Sequence, residues 1–360
     1  MSEALEARAL QGAAGLETAL SQLDALLAQG TSDPLCNGAA WVGAYAGCWT
    51  RPEEFYGWSL HDGEDAPVGL ALLRPEANGG GLLRRASLLQ DGSFDSDYLS
   101  LPARPGYEER VLESLLGALR KRGGVEALLL SCLPEDSPTL LSARALAERR
   151  SLELREVPVA CLSAELAPDQ DALLRSLASR MRSKVRRALR QAEESELSVR
   201  WCSTQADVRR DLESLFRLHQ ARWVASGEPG SLADERRQSF YVELAQGALE
   251  RDALRLSALE RDGEVVAVQF GLLAGERYYQ LQEGFDPDWG ERRVGIALRA
   301  HSMVALGEQG VRHYDFMAGD ARHKRDWGAQ PRPCVSCAIG VGSLRSRALY
   351  AAQRALSRGR

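Results

Sequence analysis

Between Val265 and Gly328 the apolar spacing changes from alternation, in VVAVQFGLLAG and RYYQLQEGF, to a helical period with Ile296, Leu298, Met303, Val304 and Leu306 inward. Asp286, Pro287 and Gly290 mark a turn between the two patterns, so a strand feeds a helix through a glycine-bearing loop. Arg292, Arg293, Val294, Gly295, Ile296 and Ala297 fall on that loop and on the first helical turn. Backbone N–H groups there lack an intrahelical acceptor and stand at the positive end of the helix dipole, which holds anions and suits a diphosphate. The same six residues also fit a plain helix start with two solvated arginines.

Further residues in this half carry chemistry. Asp320 and Lys324 lie one turn apart, where they form either a surface ion pair or part of a ligand site. His219, Arg222 and Trp223 occupy adjacent turns of a helix expected over 205–223. A helical histidine is either a hydrogen-bonded structural residue or a group that takes a proton near neutral pH. Gln269 interrupts an apolar strand and is expected to face a cleft or a partner strand. The lysines are Lys121, Lys184 and Lys324 alone, in a chain whose other basic residues are arginine, a hint that positions 184 and 324 need a compact, titratable ammonium.

The elements around these residues alternate between strand and helix. Helices are expected at 14–29, 106–123, 137–149, 205–223 and over LADERRQSFYVELAQGALER, with one long basic helix over DALLRSLASRMRSKVRRALRQAEES. WVGAYAGCW, VEALLLSCLPED, LELREVPVACL and LSVRWCS read as strands. Asp262-Gly263 and Gly275-Glu276 join three further strands into an antiparallel meander, and a basic amphipathic helix follows a last strand at PCVSCAIGVG.

A chain of 360 residues with 44% apolar and 26% charged residues fits two globular domains. No segment has the uninterrupted apolar length to span a bilayer and MSEALEARAL has no secretory core, so a cytoplasmic location is expected. The seven scattered cysteines fit a reducing compartment. The pair Cys334-x-x-Cys337 falls on a predicted strand that turns its thiols to opposite faces, so no metal site is expected. The net charge of −5 conceals an asymmetry: residues 1–160 hold 14 basic and 23 acidic groups, residues 161–360 hold 31 and 27. This excludes a general nucleic-acid binder and permits an anionic ligand in the second half.

The pattern R-x-x-G-x-A at Arg292–Ala297 resembles the acyl-CoA diphosphate loop of the GNAT acyltransferases. GFDPDW, the RVGIAL helix, DFMAGDARHKRDWG and, upstream, LFRLHQARW are similar to the CelD-like, cellulose-biosynthesis-associated acetyltransferase family, itself related to Fem-type peptidyltransferases. The resemblance implies an α/β (α+β) fold of two tandem GNAT-like lobes, each a mixed, mostly antiparallel sheet flanked by helices. Residues 1–160 would form a degenerate lobe shaping the substrate side, 161–345 the catalytic lobe with the acyl-CoA loop, and 346–360 a basic C-terminal helix.

The implied activity is N-acyl transfer from acetyl-CoA or another acyl-CoA, used as co-substrate without a metal, to a small-molecule or peptide amine acceptor. On that resemblance Arg292, Arg293, Val294, Gly295, Ile296, Ala297 and Gln269 hold the donor, and Lys324, Asp320 and His219 are the catalytic candidates. Arg222, Trp223, Tyr279, Gln282, Asp97, Tyr98 and Trp327 are the substrate-binding candidates. His323 stands where the family usually has an aromatic residue before the lysine, which leaves the pocket's shape open. Two other readings stay in view. One is a Fem-like transferase that takes an aminoacyl group from a charged tRNA, the one nucleic-acid partner expected; the other is a non-enzymatic ligand- or RNA-binding protein.

Overall fold

In a computed structural model, residues 5–30, 33–51, 54–76, 83–92, 95–225, 227–228 and 230–358 are described; the first four residues of MSEALEARAL lie outside them. The chain is mixed α/β with mostly antiparallel strand pairing, and it forms two compact units, residues 1–159 with 333–360 and residues 160–332.

The first unit begins with β1 (Glu6–Leu10), α1 (Gly12–Gln29), α2 (Ala39–Trp49), β2 (Tyr56–His61), β3 (Gly69–Pro75) and β4 (Arg85–Leu88). It continues through α3 (Glu108–Arg122), β5 (Ala127–Pro134) and α4 (Pro138–Arg150). Helix α3 buries Val111, Leu112, Leu115, Leu116 and Leu119 on one face. Its acids in the first turn and bases in the last both complement the helix dipole.

Strand β6 (Leu154–Glu165) carries the chain into the second unit. There follow α5 (Gln170–Ser176), α6 (Ser179–Glu194), β7 (Ser198–Trp201), α7 (Gln205–Ala225), α8 (Glu235–Leu249), β8 (Leu254–Arg261), β9 (Glu264–Ala274) and β10 (Arg277–Phe285). Then come α9 (Val294–Glu308), β11 (His313–Ala318) and α10 (Arg322–Asp326). The chain then returns to the first unit through β12 (Gln330–Gly340) and α11 (Leu344–Arg358).

In the first unit the strands run β1-β2-β3-β4-β5-β12, antiparallel except for β4 with β5. In the second they run β6-β11-β10-β9-β8-β7, antiparallel except for β10 with β11. The second unit's core lies largely between this sheet and helices α5, α6 and α9, with Leu173, Leu177, Met181, Val185, Tyr278, Met303, Leu306, Tyr314 and Trp327 in one cluster.

Two sequence expectations are corrected. WVGAYAGCW is helix α2, not a strand: Trp41, Val42, Tyr45 and Ala46 are buried at helical spacing. Packing thus overrides the strand preference of Trp, Val and Tyr. The long basic helix is two helices, α5 and α6, separated by extended backbone at Leu177 and Ala178. No Gly or Pro marks the break; Arg182 stabilises it by donating from Nη2 to the freed carbonyls of Arg175 and Leu177.

Candidate active site

Strands β10 and β11 pair in parallel only over Arg277–His313, Tyr278–Tyr314 and Tyr279–Asp315, and no pair follows. In β10 a bulge at Leu281 shifts the register against β9 between Gln280 and Gln282. Bulges bend a strand and re-aim its side chains. Past this one, Gln282 faces α8, donating to Tyr241 Oη (3.0 Å), whereas Glu283 faces α9. Gly284 allows α7 to lie against β10, since a Cβ there would stand 2.7 Å from the His219 nitrogen.

After β10 a short 3-10 turn, Pro287–Arg292, is capped by Asp286, whose carboxylate accepts from the Asp288 N–H (2.9 Å). Arg293 then adopts a left-handed conformation (φ 56°, ψ 39°), and its carbonyl accepts from Ile296 and Ala297 to start α9. No side chain caps this start, so the N–H groups of Val294 and Gly295 remain directed outward from the helix end. The Arg292 guanidinium lies 4.8 Å from the Trp289 ring centroid, and Arg293 donates to Gln191 Oε1 (3.2 Å).

Beneath the gap between β10 and β11 lies a polar cluster. Arg299, buried one turn into α9, contacts Glu283 closely and rests over Phe316 and Trp327, each at 5.6 Å. Arg222 of α7 reaches the other carboxylate oxygen of Glu283 at 3.5 Å. Burial alone would raise the Glu283 carboxyl, but Arg299 and Arg222 outweigh it and hold the group below the ordinary range, as a carboxylate. Gln269, opposite Glu283 in register, donates to the Tyr314 hydroxyl, which burial pushes well up and keeps protonated. His219 Nδ1, Gln269 Oε1 and Arg299 Nε are buried with no hydrogen-bond partner among the described residues.

Residues 179–325 match the family described as acetyltransferase (GNAT) domain. The chain carries a GNAT acyltransferase domain. Its fold is similar to that of FemX, at 14% identity and a TM-score of 0.64 over 88% of this chain and 95% of that one. It is also similar to L-PGS from Bacillus licheniformis, at 11% identity and a TM-score of 0.56 over 88% and 90%. A tandem GNAT protein from the clavulanic acid biosynthesis pathway is similar at 15% identity and a TM-score of 0.50 over 94% and 99%. No curated protein matches the chain.

Within the second unit the residues singled out by sequence fall into distinct groups. Arg292, Arg293 and Gly295 surround the α9 start, where a Cβ on Gly295 would meet the Phe285 ring at 3.2 Å. Val294 and Ala297 are buried and Ile296 is half-buried, so the first two offer the site only backbone. Gln269, Arg222 and Trp327 belong to the Glu283 cluster. His219 is buried at its edge and accepts from Trp223 Nε1 at Nε2 (2.9 Å), which places the ring proton on Nδ1. Burial, then Arg222 and Arg237, lower its pKa to about 4, so the ring is a neutral donor and not the proton acceptor its type suggested. Tyr279 is buried.

Lys324 does not pair with Asp320. Its ammonium donates to the carbonyls of Phe316 (2.7 Å) and Ala318 (2.6 Å), tying down the end of β11, while Asp320 pairs with Arg325 at 2.5 and 2.7 Å. Asp97 and Tyr98 lie in the first unit, where Tyr98 is fully buried with φ 59° and its carbonyl accepts from Asn37 Nδ2 (3.0 Å). Sequence reading missed Glu283, Arg299 and Tyr314. The available signals were an acid within the strand RYYQLQEGF and an arginine on the apolar face of RVGIALRAHSMVAL.

Proposed function

We propose that the chain transfers an acyl group from a CoA thioester to an amine, and that within the GNAT superfamily it belongs with the CelD-like acetyltransferases. The observation that carries the donor assignment is the uncapped start of α9 at Arg293–Gly295, directly after a strand that leaves its parallel partner. The N–H groups of Val294 and Gly295, with Arg292 at the rim, suit a diphosphate, and the unpaired end of β10 offers backbone groups to an amide-bearing arm. The thioester supplies an activated acyl carbonyl.

Glu283, held anionic between Arg299 and Arg222, accepts a hydrogen bond from the incoming amine and orients it. A carboxylate of such low basicity positions the nucleophile more than it deprotonates it. The C–N bond forms as the C–S bond breaks, the amine's surplus proton leaves to solvent, and a proton reaches the departing sulfur. Tyr314, which burial keeps protonated, is the group in the cluster assigned to supply that proton.

The measurement is the melting temperature with acetyl-CoA. Acetyl-CoA should raise it by mass action, and Gly295→Asp, which places a carboxylate at the helix start, should remove the shift. An unshifted wild-type protein with acetyl-CoA and longer acyl-CoA esters alike would reject the donor assignment. Fold likeness to FemX favours a second reading, an aminoacyl group supplied by charged tRNA. Aminoacyl transfer from charged tRNA by a preparation inert towards acyl-CoA would establish that reading instead.

A further inference from the structure

We propose that the second unit holds a separate site for a phosphate group, and that this phosphate belongs to the amine acceptor; the word acceptor rests on the acyl-transfer reading, the site itself does not. A cavity of about 510 Å³ is lined by Ala178, Arg180, Lys184, Arg322, Arg325 and Asp326, among others. Arg325 is neutralised by Asp320. Arg180, Lys184 and Arg322 have no ion-pair partner among the described residues, and Asp326 is the one acid on the wall. Three cations facing one acid repel each other unless an anion joins them. Helix α6 starts on the same wall, with Ala178 at its N-cap and no side chain to satisfy the first N–H groups.

The position relates this cavity to the active site. Arg322 and Arg325 of α10 line it, whereas His323, between them, is close enough to Glu283 and Arg299 to feel both charges. An anion in the cavity therefore sits one short helix away from the carboxylate that orients the amine. It is not the donor's diphosphate. Gln191, the partner of Arg293, lies on α6 eleven residues beyond Arg180, a separation of about 16 Å at 1.5 Å per residue. The two anion positions thus stand towards opposite ends of α6. Cations from two elements together with a helix start suit an oxyanion with three free oxygens better than a planar carboxylate.

The test compares the melting temperature of the full chain in inorganic phosphate and in chloride at matched ionic strength, for the wild type, Arg180→Gln/Lys184→Gln and Gly295→Asp. Phosphate should stabilise the wild type and Gly295→Asp. In the double variant its affinity should fall about tenfold or more, the loss expected for charge-assisted contacts, while the acetyl-CoA shift remains. Should the double variant not fold, Arg322→Gln alone is expected to weaken the phosphate shift. A phosphate shift that survives these substitutions, or is absent from the wild type, overturns the site. Loss of the acetyl-CoA shift in every protein rejects the donor assignment and leaves the phosphate comparison readable. Binding of total tRNA, followed by fluorescence anisotropy, that disappears in the double variant while free phosphate has no effect makes a nucleic-acid backbone the occupant and overturns the small-molecule proposal.

Discussion

Glu283 and Lys324 show how partners, not residue types, decide roles. Lys324 is the more conspicuous in sequence, yet its ammonium is spent on the carbonyls of β11, whereas Glu283 meets two guanidinium groups beneath an open strand edge. Because Arg299 is buried against the half-buried Glu283, removing either leaves the other without its partner. Glu283→Gln should therefore cost about 3 kcal/mol of stability and Arg299→Met a similar amount. The double variant should lose much less than their sum, and additive losses in urea titrations of the four proteins would show that the pair is not coupled. His219 gives a pH dependence. Its folded pKa of about 4 lies below the ordinary 6.5, so the unfolded state binds the proton more readily between those values. Its contribution is present above pH 6.5 and is lost as pH falls towards 4, of order 3 kcal/mol in full. Lowered values at His301, His313 and His323 act in the same direction. His219→Gln should flatten the decline in stability between pH 6.5 and 5, and an unchanged slope would show that His219 is not the titrating group.

The active site arises between elements, and that is where sequence reading both succeeded and failed. Helix α9, the meander β8-β9-β10 and the loop between β10 and α9 were legible because their signals are local: apolar period, Asp-Gly turns, a glycine at the helix start. The bulge at Leu281 and the short β10–β11 pairing have no such signal, since they depend on what each strand meets. Hence Glu283, on the strand past the bulge, went unnoticed while Tyr279 and Gln282 were singled out. Gln282 instead bonds Tyr241 on the α8 side of the sheet. The break between α5 and α6 was hidden for a related reason, since the apolar spacing of Leu173, Leu177, Met181 and Val185 runs straight through it. One contact fixes where α7 lies against β10. Gly284→Ala would press a methyl to 2.7 Å from the His219 nitrogen and 3.0 Å from Leu218 Cβ, and so should destabilise the chain by about 1–3 kcal/mol. Gly290→Ala, whose Cβ meets nothing within 4 Å, should be near neutral. Equal melting temperatures for the two variants would mean that α7 yields to the extra methyl.

At the scale of the whole chain, the first unit is completed by residues 333–360, which follow the entire second unit in sequence. Strand β12 pairs with β5 from Cys334–Pro134 to Gly340–Ala127 and buries Cys334, Val335, Cys337 and Ile339, and Val341 just beyond it is buried too. Burial pushes the Cys337 thiol up to about 12, so it behaves as a packed apolar group. Tyr350 of α11 is buried as well, with Arg155 over its ring at 4.9 Å, and Arg345 pairs with the buried Glu126 at 3.1 Å. Sequence could show β12 as a strand and α11 as an amphipathic helix, but not which partner either would take, because that pairing spans some two hundred residues and leaves no periodic trace. Val335, Ile339 and Val341 each contribute about 1.5–3 kcal/mol of burial, and Glu126 would lose one of its two cations. Set against a typical total of about 5–15 kcal/mol for a domain, the loss is comparable with the stability of the unit itself. A chain ending at Arg332 should therefore lose hydrogen-exchange protection in β3, β4, β5 and α3, far from the deletion in sequence, and retain it in β8, β9, β10 and α9. Protection of β5 that matches the full chain would show that the first unit closes without β12.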